Sequence, residues 1–82
     1  MITLGAHSLS RRERAILRAV ADGRGELTAG AVPELYLDGR YCSDQEAVYR
    51  LTTSRYIAPA RRAPAGERVR AVVTYTALAM SA

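Results

Sequence analysis

Apolar positions with helical spacing follow a helix-start signal near the beginning of the chain. Ser10 and Glu13 have the spacing of a capping box, in which each side chain accepts a hydrogen bond from the other residue's backbone amide. At about 100° per residue, the positions that follow form one apolar face, made of Ile16, Leu17, Ala19 and Val20. The opposite face carries Arg11, Arg14 and Arg18. Gly23 suits a helix end, so the pattern predicts a helix over residues 10–22.

The segment after this helix alternates between extended and helix-breaking residues. Residues 26–28 predict a short strand that needs a partner strand, and two helix breakers make a regular helix over 29–33 unfavourable. Residues 33–42 fit two structures. Alternation around Asp38 and Gly39 is typical of a β-hairpin, whereas Pro33 followed by Glu34 would open one helical turn that Gly39 closes. The pattern leaves both structures open.

A second capping box, from Ser43 to Glu46, predicts the next helix. Its apolar face consists of Ala47, Val48 and Leu51. Its polar face consists of Gln45, Glu46, Tyr49, Arg50 and Thr53. This helix is therefore expected to pack by one stripe and to present polar side chains outward.

The last third of the chain predicts a β-hairpin. A strand begins at Tyr56 and ends at Pro59, residues 60–66 form a basic loop, and residues 69–75 are strongly β-forming. Arg68 and Arg70 fall on the same face of the returning strand. Residues 77–82 predict a last helical turn.

Size and charge narrow the class of protein. With 82 residues the chain is expected to form one domain, with 1–8 as a lead-in and 77–82 as a tail. No apolar run is long enough for a membrane span, and residues 1–9 lack a secretory signal. A single cysteine suits a reducing compartment, so a cytoplasmic protein is predicted. The net charge is +4, and all twelve basic residues are arginine. By segment it is +3 over residues 1–24, −4 over 25–46 and +5 over 47–82.

The residue types that carry catalysis and metal binding are scarce. His7 and Cys42 are the single histidine and the single cysteine, so neither an intrachain disulfide nor a cysteine-based zinc or iron–sulfur site can form. Glu34 and Asp38 could face one cation, but two carboxylates without further ligands make a weak site. Cys42 is expected to be a small buried apolar residue. The sequence predicts no enzyme, no cofactor and no metal.

The order of these parts resembles a winged helix-turn-helix domain of the α+β class. That order is a helix, a short strand, an irregular, helical or hairpin segment, a recognition helix and a two-stranded wing. The residues that carry the resemblance are 9–17, 26–28 and 51–57. Residues 73–77 are similar to the Leu-Thr-x-x-Gly that closes the wing in the multiple-antibiotic-resistance and phenolic-acid-repressor regulator families, with Ala77 in place of the glycine. Residues 33–39 and 44–45 resemble small winged-helix proteins of actinobacteria and their phages.

The resemblance implies a function in binding double-stranded DNA, either sequence-specific or general, as a small transcriptional regulator. Helix 43–55 would enter the major groove, and the basic wing 58–70 would lie on the backbone or in the minor groove. The implied DNA contacts are Gln45, Tyr49, Arg50, Thr53, Arg61, Arg62, Arg68, Arg11 and Arg14. A homodimer would have to use the first helix or the chain ends.

The alternative function is a protein-interaction module, acting as a non-enzymatic adaptor or inhibitor. It would bind a partner protein through the acidic region 26–46. Asp44 and Glu46 motivate this alternative, because carboxylates at the start of the recognition helix repel phosphate but suit an arginine-rich partner.

Overall fold

Five antiparallel strands and two helices make up residues 9–74, the part of the chain that the computed structural model describes. In chain order the elements are α1 (Arg11–Ala21), β1 (Gly25–Thr28), β2 (Leu35–Leu37), β3 (Arg40–Tyr41), α2 (Gln45–Thr53), β4 (Ile57–Pro59) and β5 (Arg68–Val73). The α+β class predicted from the sequence is confirmed. The lead-in 1–8, Tyr75 and the helical turn predicted over 77–82 lie outside the described residues.

The strand order across the sheet is β3-β2-β1-β5-β4. β5 joins its two halves: Arg68 to Arg70 pair with β1, while Ala71 to Val73 pair with β4. β5 therefore lies between β1 and β4 in the sheet and joins them. Both sheet edges are short, since β3 has two residues and β4 has three and ends at Pro59, which limits pairing with another chain.

α1 begins and ends as its sequence predicts. The Ser10 amide donates to Glu13 Oε1 at 2.8 Å, and the Glu13 amide donates to Ser10 Oγ at 3.0 Å, which completes the capping box. Asp22 caps the other end. Ile16, Ala19 and Val20 are buried, as the helical spacing predicts.

Residues 33–42 form the hairpin rather than the helical turn. β2 pairs with β3, and the two turn residues Asp38 (φ 54°) and Gly39 (φ 80°) both have positive φ, as a type I′ turn requires. The reason is tertiary: β2 also pairs with the open edge of β1, and Arg24 holds Asp38 from outside the hairpin at 2.9 Å.

α2 begins one residue later than its sequence predicts. Asp44, not Ser43, is the N-cap, and its carboxylate accepts from the Ala47 amide at 3.1 Å. The same carboxylate lies 3.5 Å from Arg12 of α1. Asp44 therefore caps α2 and also contacts α1. The capping box predicted with Ser43 as the N-cap is wrong.

The core lies between the helices and one face of the sheet. Its buried residues come from both helices, four strands and the turn before β4: Ile16, Val20, Leu27, Leu35, Ala47, Val48, Leu51, Tyr56, Ile57 and Ala71. Cys42 is half-buried and packs against this cluster, so it does not reach the full burial expected of it. Among residues 9–74 we find no helix with the length and apolar character that crossing a membrane requires.

Candidate nucleic-acid interface

The fold neutralises most of the acidic middle of the chain with arginines from its basic ends. Four of the five acids in residues 25–46 lie within 4.0 Å of a guanidinium nitrogen. These pairs are Glu26–Arg68 at 3.8 Å, Asp38–Arg24 at 2.9 Å, Asp44–Arg12 at 3.5 Å and Glu46–Arg50 at 3.6 Å. The segment that is acidic in sequence is therefore not an unpaired acidic surface.

The remaining positive charge lies on exposed arginines. Within residues 9–74, seven arginines have no carboxylate within 4.0 Å, and all seven are exposed: Arg11, Arg14, Arg18, Arg40, Arg55, Arg62 and Arg70. The first three lie on the solvent side of α1, as the sequence predicts. The others come from β3, the end of α2, the β4–β5 loop and β5.

Two concavities share the lining residue Pro59, and arginines line both. The first lies between the β1–β2 loop and the β4–β5 loop, and its lining includes Gly30, Pro59, Arg61 and Arg62. The second also includes Pro59 and extends to Arg55. We call the two together the arginine groove, defined by Pro33, Thr52, Arg55, Pro59, Arg61 and Arg62. It has Arg55 at one end and Arg61 with Arg62 at the other.

Backbone hydrogen bonds hold the two loops of the arginine groove together. The Ala29 amide donates to the Glu67 carbonyl at 2.9 Å, and the Gly66 amide donates to the Ala29 carbonyl at 2.9 Å. Arg61 crosses the β4–β5 loop, with Nη2 2.9 Å from Glu67 Oε2 and Nη1 3.3 Å from the Arg62 carbonyl. Arg62 is therefore the basic side chain of this loop that keeps its full charge available, among the residues described.

Arg55 has an unusual backbone for an arginine. It follows the α2 C-cap with φ 64°, its amide donates to the Thr52 carbonyl at 3.1 Å, and the Tyr56 amide donates to the Leu51 carbonyl at 2.9 Å. This pair of hydrogen bonds is the Schellman ending of a helix, in which glycine is the usual left-handed residue. Sequence reasoning missed Arg55 as a site residue. The signal in the sequence was that the predicted end of α2 contains no glycine, so another residue, here a charged one, has to take the left-handed conformation.

Gln45, a predicted DNA contact, is held against the β2–β3 hairpin. The residue is half-buried, and its side-chain amide Nε2 donates to the Cys42 carbonyl and to the Leu35 carbonyl, the latter at 3.4 Å. These bonds join the first turn of α2 to the hairpin. The amide therefore performs a structural task and is not extended toward solvent.

Arg50, also a predicted DNA contact, bridges the two helices. Its Nε donates to Glu13 Oε2 at 2.7 Å, and its Nη1 lies 3.6 Å from Glu46 Oε2. Burial by itself raises the pKa of the Glu13 carboxyl, but hydrogen bonds from the Ser10 amide and from Arg50 outweigh burial and lower that pKa below its ordinary value. The hydrogen bond to Glu13, followed by its charge, raises the pKa of Arg50.

The two other predicted contacts on α2 face solvent. Tyr49 is 59% exposed. Thr53 is exposed, and its hydroxyl donates to the Tyr49 carbonyl at 2.8 Å, one turn earlier in the helix. The outward face of α2 thus presents a tyrosine ring, a threonine and the Glu46 carboxylate.

Arg68, predicted to contact DNA from the wing, lies on the sheet face opposite the helices. Its guanidinium carbon is 4.2 Å from the centroid of the Tyr36 ring, and Tyr36 meets Tyr41 edge-on at 5.5 Å. Arg11 and Arg14 are exposed on α1 but do not line the arginine groove. Of the nine predicted contacts, Arg61 and Arg62 line the arginine groove, which Arg55 also lines.

No cation site forms at the acids singled out by the sequence. Asp38 accepts from Arg24 through both carboxylate oxygens, and residues 9–74 contain no group of three or more histidine, cysteine, aspartate or glutamate side chains placed to hold a metal ion. No protein-family model, curated protein or solved structure matches the chain.

Proposed function

We propose that this protein is a small winged-helix-like domain that binds double-stranded DNA through the arginine groove. One observation carries the proposal: Arg55, Arg61 and Arg62 line two concavities that share Pro59, and the one with Arg55 also includes Thr52 of α2. Arginine keeps its charge at all relevant pH values and offers a planar fork of donors that fits phosphate oxygens. Two of the three, Arg55 and Arg62, have no carboxylate within 4.0 Å among residues 9–74.

The topology supports the same proposal. α2 is followed directly by the β4–β5 hairpin, and β5 returns to pair with β1. This is the arrangement expected of a recognition helix and its wing, with the β2–β3 hairpin in the place of the motif's second helix. DNA would lie along the α2 end and the β4–β5 loop. The α1 arginines would add long-range attraction toward the phosphates.

Titration with a short duplex at two salt concentrations tests the proposal. Each phosphate contact contributes about −0.9 to the slope of log affinity against log salt, so the two unpaired groove arginines, Arg55 and Arg62, predict a slope of about −1.8 from the groove alone. The variant Arg55→Ala with Arg62→Ala should bind more weakly, and its salt slope should be less negative by about 1.8, which removes the contribution of the groove.

The control removes the same kind of charge elsewhere. Arg40 on the edge strand β3 is exposed, has no carboxylate within 4.0 Å among the residues described, and does not line the groove. Arg40→Ala should leave the slope nearly unchanged. Absence of binding at low salt, or an equal effect of Arg40→Ala and Arg62→Ala, would reject the groove as a DNA site.

A protein partner is the second candidate function, and exposed Val32 favours it. Val32 is 71% exposed in the loop between β1 and β2, directly before groove residue Pro33. An apolar side chain at a protruding position suits a protein surface better than a phosphate backbone. If nuclease-treated cell extract yields one stoichiometric partner for the native protein but not for Val32→Asp, and duplex titration shows no binding, this candidate replaces the first.

A further inference from the structure

We infer that the arginine groove and α2 bind duplex DNA without selecting a base sequence, an inference that rests on the proposed function. Base pairs are distinguished mainly in the major groove, where arginine forms two hydrogen bonds to guanine and glutamine forms two to adenine. α2 has one residue of each kind, Arg50 and Gln45. Sequence selection by this helix therefore depends on whether these two side chains are available.

Gln45 is not available for base recognition. Its amide nitrogen bonds to the Leu35 and Cys42 carbonyls, and these bonds fasten the β2–β3 hairpin to the helix. A bidentate contact with adenine needs both the amide nitrogen and the amide oxygen. Turning the side chain outward would therefore break the join between hairpin and helix.

Arg50 is occupied by carboxylates on two sides. Nε is 2.7 Å from Glu13, and Nη1 is 3.6 Å from Glu46. The Glu13 side chain is only 6% exposed, so withdrawing the guanidinium would leave a buried carboxylate without its counter-charge. With Nε held by Glu13, guanine would have to bind Nη1 and Nη2, which would bring its acceptor atoms O6 and N7 beside the Glu46 carboxylate, 3.6 Å from Nη1.

The rest of the outward α2 face offers little that distinguishes one base from another. Thr53 uses its hydroxyl hydrogen on the Tyr49 carbonyl. Tyr49 presents a ring and one hydroxyl, which can pack against sugar and phosphate of any sequence. The Glu46 carboxylate has its side chain 85% exposed and repels phosphate regardless of the base nearby. Attraction then comes from the groove arginines, whose phosphate contacts are independent of sequence.

Selection from a random duplex library tests this inference. Repeated rounds of binding to the native protein should enrich no motif, and the selected duplexes should bind within about threefold of the starting pool, because phosphate contacts favour no sequence. An enriched motif in which one base change weakens binding about tenfold or more would overturn the inference, since that is the discrimination of one bidentate contact. No salt-dependent binding to any duplex would instead overturn the proposed function, and the inference with it.

A charge variant on α2 supplies a second readout. Glu46→Gln should tighten binding to every duplex by a similar factor, about two- to fivefold, because it removes one repulsive charge facing the phosphates. The matched control is Asp22→Asn at the end of α1, a residue outside α2 and outside the groove lining, which should have a smaller effect. If Glu46→Gln left the affinity for every duplex unchanged, the outward face of α2 would not lie against the phosphates and the inference would fail.

Discussion

Arg55 combines an unfavourable backbone conformation with a place in the arginine groove, and replacing it with glycine separates the two properties. The residue sits at φ 64° directly after the α2 cap, where the Schellman hydrogen bonds to Thr52 and Leu51 require a left-handed residue. The residue also lines the groove. Arg55→Gly should therefore stabilise the fold and weaken DNA binding at the same time.

The expected stabilisation follows from the two conformational terms involved. A residue other than glycine in the left-handed region costs about 1–2 kcal/mol, whereas glycine loses about 0.5–1 kcal/mol more backbone freedom on folding. The difference leaves Arg55→Gly more stable by about 0.5–1 kcal/mol. For a domain of this size, that raises Tm by about 2–8 °C.

Thermal unfolding followed by circular dichroism, together with duplex titration at low salt, measures both effects. Arg55→Ala is the matched control, because it removes the same charge but keeps a Cβ at a positive φ. Both variants should lose affinity and about 0.9 of the salt slope, while only the glycine variant gains Tm. A lower Tm for Arg55→Gly would refute the conformational argument, and unchanged affinity in both variants would remove Arg55 from the DNA site.

Three further predictions concern the elements that position the site. Glu13→Gln should destabilise the fold by about 2 kcal/mol in urea unfolding at pH 7, because a glutamine amide cannot accept hydrogen bonds from both the Ser10 amide and Arg50. The matched control is Glu46→Gln beside the same arginine, which should change the free energy of unfolding by less than about 0.5 kcal/mol. Folding lowers the pKa of Glu13 below its ordinary value of 4.5, so the ionised carboxylate stabilises the fold above that pH. This stabilisation is lost as the pH falls through the lower pKa of the folded state. The difference in free energy of unfolding between the native protein and Glu13→Gln should therefore be smaller at pH 3 than at pH 7. Ser10→Ala should cost about 1 kcal/mol by removing the α1 N-cap, and an unchanged unfolding midpoint would contradict the capping box. Gly39→Ala should also cost about 1 kcal/mol, because Gly39 has φ 80° in the β2–β3 turn; Tm measurement checks it.

The elements that sequence predicts well are those whose stabilising contacts are local. The α1 capping box joins residues three positions apart, and the buried positions of α1 repeat with the helix period. The alternating Arg68 and Arg70 of β5 are likewise exposed while Val69 and Ala71 are buried. In each case the determining neighbours lie within about one turn or one strand of the residue itself.

The segment 33–42 shows where local pattern stops being sufficient. Its residues allow a hairpin or a helical turn, and the choice depends on the free edge of β1 and on Arg24, which lies 14 positions from Asp38. Asp44, the N-cap of α2, likewise has a partner outside its own segment, Arg12 of α1. Such partners are distant in sequence, so no short window contains them.

The candidate site likewise contains residues that local sequence predicts and residues whose surroundings depend on distant parts of the chain. Arg61 and Arg62 were predicted from a basic loop between two strands, and they do line a groove. Gln45 and Arg50 lie on the helical face that the pattern predicts to be polar and outward. In the structure, however, Gln45 donates to a carbonyl of the hairpin segment, and Arg50 donates to Glu13. Arg55 escaped prediction because its importance comes from the backbone conformation at the end of α2 and from the loops opposite it.

The sequence by itself determined the net charge of +4, its arrangement as a basic start, an acidic middle and a basic end, and the positions of both helices and the last hairpin. Only the tertiary structure decided which charges face solvent unpaired. Coulomb attraction depends on distance in space, and folding places Arg50 beside Glu13, 37 positions away, and Arg12 beside Asp44. The acidic middle is thereby largely neutralised, and the positive charge that remains lies on exposed arginines, Arg55 and Arg62 of the groove among them.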